Sequence, residues 1–524
     1  SGSALKEAVG VGKGTVHLED FDVADAIFVV GQNPGSNHPR MLSALEAAAR
    51  RGCQIVAINP LPEPGLMRFS HPQRYEALLG RGTQIASLFL QVRVGGDAAL
   101  FKGLAKILLE EDAVDHDFIE RYTSGFDAYA HSIHETTWDE IEKGSGIARD
   151  RIHAAAKIAM RSERTIACWA MGLTQHKHAV ATIQEVASFM MLRGNIGRPG
   201  AGLCPVRGHS NVQGDRTMGI WERMPDAFLD RLGKTFGFEP PREHGFDTIA
   251  AIEAMRAGNV RVFFAMGGNF LSASPDTPRV AEGLRRCALT AQVSTKLNRS
   301  HVVTGKTALV LPCLGRTEID VQRHGEQAVT VENSMGFVSA SRGRNTPAST
   351  HLMSEPAIVA RLAKAALGLD WSDLVADYDH IRDLIAQVVD GCDDYVARVG
   401  AGGFHLRNSA RERDFSGVPG GRARFFVHPL PRIDVAEGEL LLTTIRSHDQ
   451  FNTTIYTQND RYRGIEGDRR VVFMNERDIE KHGLAARERV DLVSRAGSVE
   501  AFAVVPFSIP EGCVAAYFPE ANPL

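Results

Sequence analysis

Twice in this chain an apolar run ends in glycine and asparagine at a tight turn. Asp25 to Val30 runs into Gly31-Gln32-Asn33-Pro34-Gly35, and Val260 to Met266 runs into Gly267-Gly268-Asn269. A short, continuously apolar run predicts a parallel strand buried on both faces. Each is followed by a helix and a second strand: Arg40 to Arg51 then Gln54 to Ile58, and Thr277 to Cys287 then Ala288 to Val293. A further strand is expected over Ala308 to Leu311. The device predicts two related α/β halves, each with a polar turn at the carboxyl end of its first strand, where open α/β sheets bind ligands. Neither turn reads GxGxxG, which argues against a simple NAD site and a nucleotide-binding dehydrogenase of that type. One large ligand with two nucleotide arms would suit the arrangement.

Between the halves the pattern continues. Val92-Arg93-Val94 reads as a strand, closed by Gly95-Gly96-Asp97, with Asp97 expected to cap a helix from Ala98 to Glu110. Arg121 to Gly146 reads as a helical insertion. Its His131 and His134 are expected as surface or satisfied histidines, since a third ligand and a suitable carboxylate are missing. Thr165 to Ala170 is a strand ending in Met171-Gly172-Leu173-Thr174-Gln175, and Ala179 to Arg193 a helix. The cluster His176-Lys177-His178 is read as lining a polar pocket or as solvated, because Lys177 would repel a cation.

Leu192 to Gly214 is not helical. It holds Gly194, Gly197, Gly200, Gly202, Gly208 and Gly214 among Asn195, Arg198, Arg207, His209, Ser210, Asn211 and Gln213. Dense glycine outside a serine-rich linker implies backbone brought close to something bulky. The expectation is a loop that wraps a polar cofactor and presents an arginine to substrate. Beyond it, Ser354 to Leu367 is an amphipathic helix, and Asp370 to Gly420 is mixed with turn-rich linkers. From Gly438 short strands follow one another: Leu440 to Ile445, Val471 to Met474, Val490 to Val493, Val499 to Val505 and Val514 to Phe518. That style predicts a β-barrel.

Composition narrows the functional classes. A net charge of -4 gives no basis for nucleic-acid binding, and no apolar run approaches a membrane span. The seven cysteines all stand more than four residues apart, against a local zinc or iron–sulfur motif. They are expected as buried, reduced thiols of a cytoplasmic protein.

The ordered set of motifs resembles the molybdopterin oxidoreductase family, in its formate dehydrogenase alpha-subunit-like branch. The residues that carry it are Gly31-Gln32-Asn33-Pro34 with Ser36-Asn37-His38-Pro39, Gly95-Gly96-Asp97, Met171 to Gln175, and Leu192 to Gly197. Pro205 to Gly208, Asn211 to Gly214, Met266-Gly267 and Asn475 with Asp478 complete it, over nearly the whole chain. The resemblance implies an α/β fold of the formate dehydrogenase and dimethyl sulfoxide reductase type. It would have two Rossmann-like cofactor-binding domains, at 1–209 and 210–345, and a small mixed domain with linker at 346–435. A six-stranded, double-psi β-barrel would bind molybdopterin dinucleotide at 436–524.

The resemblance further implies bis(molybdopterin guanine dinucleotide) with molybdenum or tungsten. Cofactor contacts are expected from Asn33, Gly95, Asp97, Met171, Gly172, Gln175, Gly208, Asn211, Gly267, Asn269, Lys296, Arg446, Asn475 and Asn522. Arg207 and His209 are expected at the substrate. An arginine fork suits a carboxylate such as formate, oxidised by two electrons to CO2 for a redox partner protein or other acceptor. No metal ligand is expected within this chain: the family's Cys or selenocysteine should lie upstream of Ser1, with the segment that carries a 4Fe-4S cluster in many relatives. His209 stands where formate dehydrogenases have glutamine, and Asn59-Pro60 where many relatives have Asp-Pro. The alternatives are a related molybdoenzyme with another small substrate and a cofactor-less structural subunit of the same fold.

Overall fold

A computed structural model describes residues 1–75, 79–433, 435–453 and 455–524. The first unit is built on five parallel strands: β1 Ala26–Val30, β2 Gln54–Ile58, β3 Leu88–Leu90, β4 Thr165–Trp169 and β5 Gly202–Pro205. Their order is β3-β2-β1-β4-β5, so the winding direction reverses between β1 and β4. In β1, Ile27 and Val29 pack with Leu42, Leu45 and Ala48 of helix α1 (Pro39–Arg50). Phe28 and Val30 face the other way, against α2 (Asp97–Glu110) and α3 (Ala179–Leu192). Phe189 of α3 is set edge-on to Phe28 and Phe101, with ring centroids 5.3 and 5.5 Å away. Both faces are therefore covered, which is why β1 is fully buried and reads as uninterrupted apolar residues.

The chain after β2 departs from the sequence expectation in two respects. The strand lies at Leu88–Leu90, and Val92-Arg93-Val94 is the connection after it. Gly96 caps α2, while Asp97 is its buried first residue and makes no cap bond. The glycine-rich stretch holds a strand that the sequence did not announce, β5, whose four residues are all buried.

In the second unit, α4 (Thr248–Arg256) precedes β6 (Val262–Met266), α5 (Thr277–Arg286), β7 (Leu289–Ser294) and β8 (Thr307–Pro312). The strands form a parallel sheet ordered β8-β7-β6. Ile252 and Met255 of α4 and Val280 and Leu284 of α5 pack with Phe263 on one face. Val262 and Phe264 point to the opposite face and are exposed, as is all of β8. This half is therefore packed on one side where the apolar runs suggested two.

The third region pairs β9 (Val329–Glu332) with β10 (Phe337–Ser341), and β10 with Phe404–His405. Helices α6 (Glu355–Leu367) and α7 (Tyr378–Val388) accompany them, with Ser354 capping α6 by accepting from the Ala357 N–H. The chain then returns to the first unit. Ala410, Phe415, Val418, Ala423 and Phe425 enter its core, and Ala423–Arg424 pairs in parallel with Thr123–Ser124.

The C-terminal unit contains β11 (Leu441–Ile445), β12 (Val471–Met474), β13 (Arg489–Val493), β14 (Ser498–Pro506) and β15 (Cys513–Tyr517). Among the described residues these are five strands of one mixed sheet, ordered β11-β15-β12-β14-β13, against the six expected. Val471, Phe473, Ala515 and Tyr517 pack with Leu61 and, at the margin, Val94 of the first unit. Arg463 locks that contact through both oxygens of Glu63, at 2.6 and 2.7 Å. All seven cysteines are free and buried. No helix among the described residues is long and apolar enough to cross a membrane.

Candidate functional site

Five parallel strands bring their following loops to one edge. Asn33 follows β1, Gly95 and Asp97 follow β3, Met171, Gly172 and Gln175 follow β4, and Arg207, Gly208 and His209 follow β5. Residues distant in sequence thus gather at the carboxyl ends, where the sheet reverses between β1 and β4. There the backbones touch. The Gly172 N–H donates to the Gly31 carbonyl at 3.1 Å, and a Cβ on Gly172 would lie 2.4 Å from that oxygen. Glycine at Gly172 is a steric requirement of the switch point.

Buried polar atoms on this edge lack partners among the described residues. They include Gln32 Oε1 and Asn37 Oδ1 after β1, Arg93 Nε and Asp97 Oδ1 after β3, and His176 Nε2 after β4. His448 Nδ1, after β11, is another. Buried polar groups are nearly always hydrogen-bonded, so the unpartnered atoms in these loops fit a polar ligand that supplies donors and acceptors, although others lie elsewhere in the molecule. Asp97 is the sharpest case. It is almost wholly buried, and burial pushes its carboxyl up to about 7, opposed in part by its own backbone N–H. A carboxyl group there suits a ligand presenting N–H donors.

Arg207 is held from several sides. Its N–H donates to Ser334 Oγ at 3.0 Å, and its carbonyl lies 2.7 Å from His38 Nε2. Nε donates to Gln213 Oε1 at 3.1 Å and Nη2 to the Gly12 carbonyl at 2.9 Å. Gln213 in turn donates to Glu332, which also pairs with Lys13 at 2.6 Å. Burial holds the Arg207 guanidinium below its ordinary range, while nearby Glu332 acts the other way. Nη1 makes no hydrogen bond among the described residues. The arginine is thus anchored along one side, with its remaining donors free for an anion.

The second sheet offers a matching edge: Gly267 and Asn269 after β6 and Lys296 after β7. Together with His209 and Asn211, these line a cavity of 1370 Å³ that also touches Phe451 and Asn452 of the C-terminal unit. His209 Nε2 lies 3.1 Å from Asn452 Nδ2, so the loop after β5 and the C-terminal unit meet at the cavity wall. Asn269 is buried, accepting from Ser300 Oγ at 2.7 Å and donating to Thr453 Oγ1 at 3.0 Å. Asn211 takes a left-handed conformation and accepts from the Glu332 N–H at 2.9 Å.

Two of the C-terminal candidates brace loops of their own unit, and the third fastens that unit to the second. Arg446, after β11, spends Nε on the Gln450 carbonyl at 2.6 Å. Asn475, after β12, caps the helix Glu476–Lys481 and donates to the Ile509 carbonyl at 2.7 Å. Asn522 reaches the Ser274 carbonyl of the second unit at 2.8 Å. Asn33 accepts from the Ser36 N–H at 3.3 Å and caps a short helical turn. Asn59 is buried beside it, donating to the Gln32 carbonyl at 3.0 Å. Met171, Gln175 and Gly208 lie at least partly open to solvent on this edge, and Lys296 is exposed on the second.

The glycine-rich stretch divides in two. Its first part is structural: Arg193 caps the Ala113, Met160 and Ser162 carbonyls, and Arg198 binds the Gly194 and Arg193 carbonyls and Asp115. Only from Arg207 onward does it reach the edge. Gln32, His38, His176 and Asn452 also lie at these loops, although the sequence motifs name none of them as a ligand contact. The first three lie in or beside those motifs, while Asn452 is one of several polar residues after β11.

The sequence matches the family model described as "Molybdopterin oxidoreductase" over residues 6–302, which covers the first unit and part of the second. This chain belongs to the molybdopterin oxidoreductase family. Residues 440–523 match a second model, "Molydopterin dinucleotide binding domain", which is the C-terminal five-stranded unit. An uncharacterized oxidoreductase of Mycobacterium tuberculosis is 52% identical over 544 residues, spanning 100% of this chain and 70% of the relative. Protein YdeP of Escherichia coli is 44% identical, spanning 99% and 71%. Formate dehydrogenase H of Escherichia coli is 27% identical over 290 residues, spanning 53% and 38%. Among solved structures, acetylene hydratase from Pelobacter acetylenicus superimposes with a TM-score of 0.71 over 98% of this chain and 73% of its own, at 17% identity. That last likeness establishes a shared fold.

Proposed function

We propose that this oxidoreductase binds bis(molybdopterin guanine dinucleotide) and oxidises a small carboxylate of the formate class. In this reading the first sheet's edge holds one dinucleotide arm through Asn33, Gly95, Asp97, Met171, Gly172, Gln175 and Gly208. The second edge holds the other through Asn211, Gly267, Asn269 and Lys296, and the C-terminal unit closes over both with Arg446, Asn475 and Asn522. Two Rossmann-like halves facing each other suit a ligand with two nucleotide arms. The unpartnered buried atoms along the first edge support a large polar ligand there. When bound, such a cofactor would supply the two-electron redox chemistry, while the residues named here would hold it and Arg207 would position the substrate.

The observation that carries the substrate class is Arg207. Its guanidinium is oriented by Gln213 and the Gly12 carbonyl, so the donors on Nη1 approach an anion already aimed. In this reading it binds the carboxylate and His209, two residues on, supplies a polar wall. Partial burial around the guanidinium strengthens such a charge-assisted contact. The relationship to formate dehydrogenase H supports formate itself, while His209 in the glutamine position sets this site apart.

The test is turnover of formate and of other small acids by metal-loaded protein with a dye acceptor. Formate-dependent reduction that is lost in Arg207→Lys supports the reading. Turnover of an uncharged substrate that is indifferent to Arg207 overturns the assigned substrate class.

A further inference from the structure

Away from the strand ends, His17, Glu19 and His405 converge where the first unit meets the third. Ligand-capable atoms of all three lie within 4.8 Å of one another. His17 directly precedes the 3-10 turn Leu18–Asp22, and His405 sits on the short strand paired with β10. The imidazole rings are stacked, with centroids 3.7 Å apart and planes 15° from parallel. Both histidines are half-buried and Glu19 is exposed, so the cluster opens to solvent on its carboxylate side. His405 Nδ1 is buried and has no hydrogen-bond partner among the described residues. A buried imidazole nitrogen left bare beside a second imidazole and a carboxylate is open to a ligand, and in its deprotonated tautomer its lone pair can bind a metal ion.

The geometry points to a divalent transition-metal site formed by His17, Glu19 and His405, best matched by zinc, that staples the first unit to the third. Two imidazoles and a carboxylate are a common zinc set, with water at the fourth position. Zinc–ligand bonds of about 2.0 Å place tetrahedral donors roughly 3.3 Å apart, so the ligand atoms draw together and the stacked rings splay. Arg411 lies nearby, but its charge is committed to Asp20 at 2.5 Å and to the Thr15 carbonyl at 3.0 Å. The set is too rich in nitrogen for magnesium or calcium, which take oxygen ligands.

Purified full-length chain, stripped with a chelator, is titrated with Zn2+ against a chromophoric competitor. The wild type should retain zinc at micromolar free metal, and Co2+ in its place should give the intense visible absorption of a tetrahedral ion. His17→Ala and His405→Ala should each weaken zinc binding by at least about tenfold. Glu19→Gln, at an exposed position that leaves the fold unaltered, should weaken it as well. Zinc should raise the unfolding midpoint of the wild type and leave that of His405→Ala in place. Loss of all zinc from the wild type to the competitor would overturn the assignment. So would undiminished binding in both histidine variants, which would place the metal elsewhere.

Discussion

Gly31 and Gly172 meet backbone to backbone at the point where the first sheet reverses. The Gly172 N–H donates to the Gly31 carbonyl at 3.1 Å, and no side chain fits between them. Each sits just beyond the end of its strand, so their contact fixes the distance between the loops that carry Asn33 and Met171. Gly172→Ala forces a methyl group into backbone and should cost about 1–3 kcal/mol in urea unfolding. It should also lower the pterin recovered per chain. Wild-type stability together with wild-type pterin content would show that the close approach is not required.

Arg207 should be irreplaceable by lysine. A lysine in its place would restore the charge without the oriented fork that Gln213 and the Gly12 carbonyl hold. Loss of a charged hydrogen bond of about 1.5–3 kcal/mol corresponds to a fall in formate kcat/KM of roughly 10- to 100-fold, and Arg207→Ala should fall further. Circular dichroism and the unfolding midpoint report whether the anchoring network survives. An Arg207→Lys variant with full turnover would remove Arg207 from the substrate.

Asp97 should make the stability of cofactor-free protein depend on pH. Burial raises its carboxyl to about 7, above the ordinary aspartate value of 3.8. The folded state therefore keeps a proton that the unfolded chain releases, and the associated stability is lost as pH rises from about 4 through about 7. The whole effect is on the order of 4 kcal/mol. Urea unfolding between about pH 4 and pH 8 should show that decline, and Asp97→Asn should flatten it. A wild-type profile that rises across this window would contradict the assignment.

Glu63 should hold the C-terminal unit in place. Its two carboxylate oxygens both accept from Arg463 Nη2, and Arg463 also binds Asp460 at 2.7 Å. Removing one member of a buried pair leaves a buried charge and costs about 3–5 kcal/mol. Because Asp460 remains, Glu63→Ala should fall near the lower end. Limited proteolysis should then cut first in the C-terminal unit.

Much of the fold was legible because buried parallel strands are written as unbroken apolar runs. Gln54–Ile58 and Val471–Met474 match their expected bounds, and the second half's three strands shift by no more than about two residues. Leu88–Leu90 was misplaced because the Val92-Arg93-Val94 run has the same apolar period; Val92 packs in the first unit's own core and Val94 against the C-terminal unit. Gly202–Pro205 was hidden by its own glycine and proline, which carry no strand propensity; its place at the sheet edge comes from tertiary pairing with β4. The exposed face of β6 was equally unreadable, since apolar composition does not say which side is covered.

At the site, the strand-end glycines and asparagines were visible as motifs. The partners that orient Arg207 were not, because Gly12, Ser334 and Glu332 lie far from it in sequence or offer only backbone. Asn475 and Asn522 show the converse. Their side chains serve helix capping and inter-unit bonds in this structure, roles that a motif does not distinguish from ligand contact.

The most direct measurement is elemental and pterin analysis of the purified protein, produced in a host that makes the molybdenum cofactor. A molybdenum or tungsten atom with a pair of pterin dinucleotides on each chain is the expected result. Protein that is folded yet carries neither metal nor pterin would contradict it, and the strand-end loops would then belong to a scaffold that has kept the fold without the cofactor.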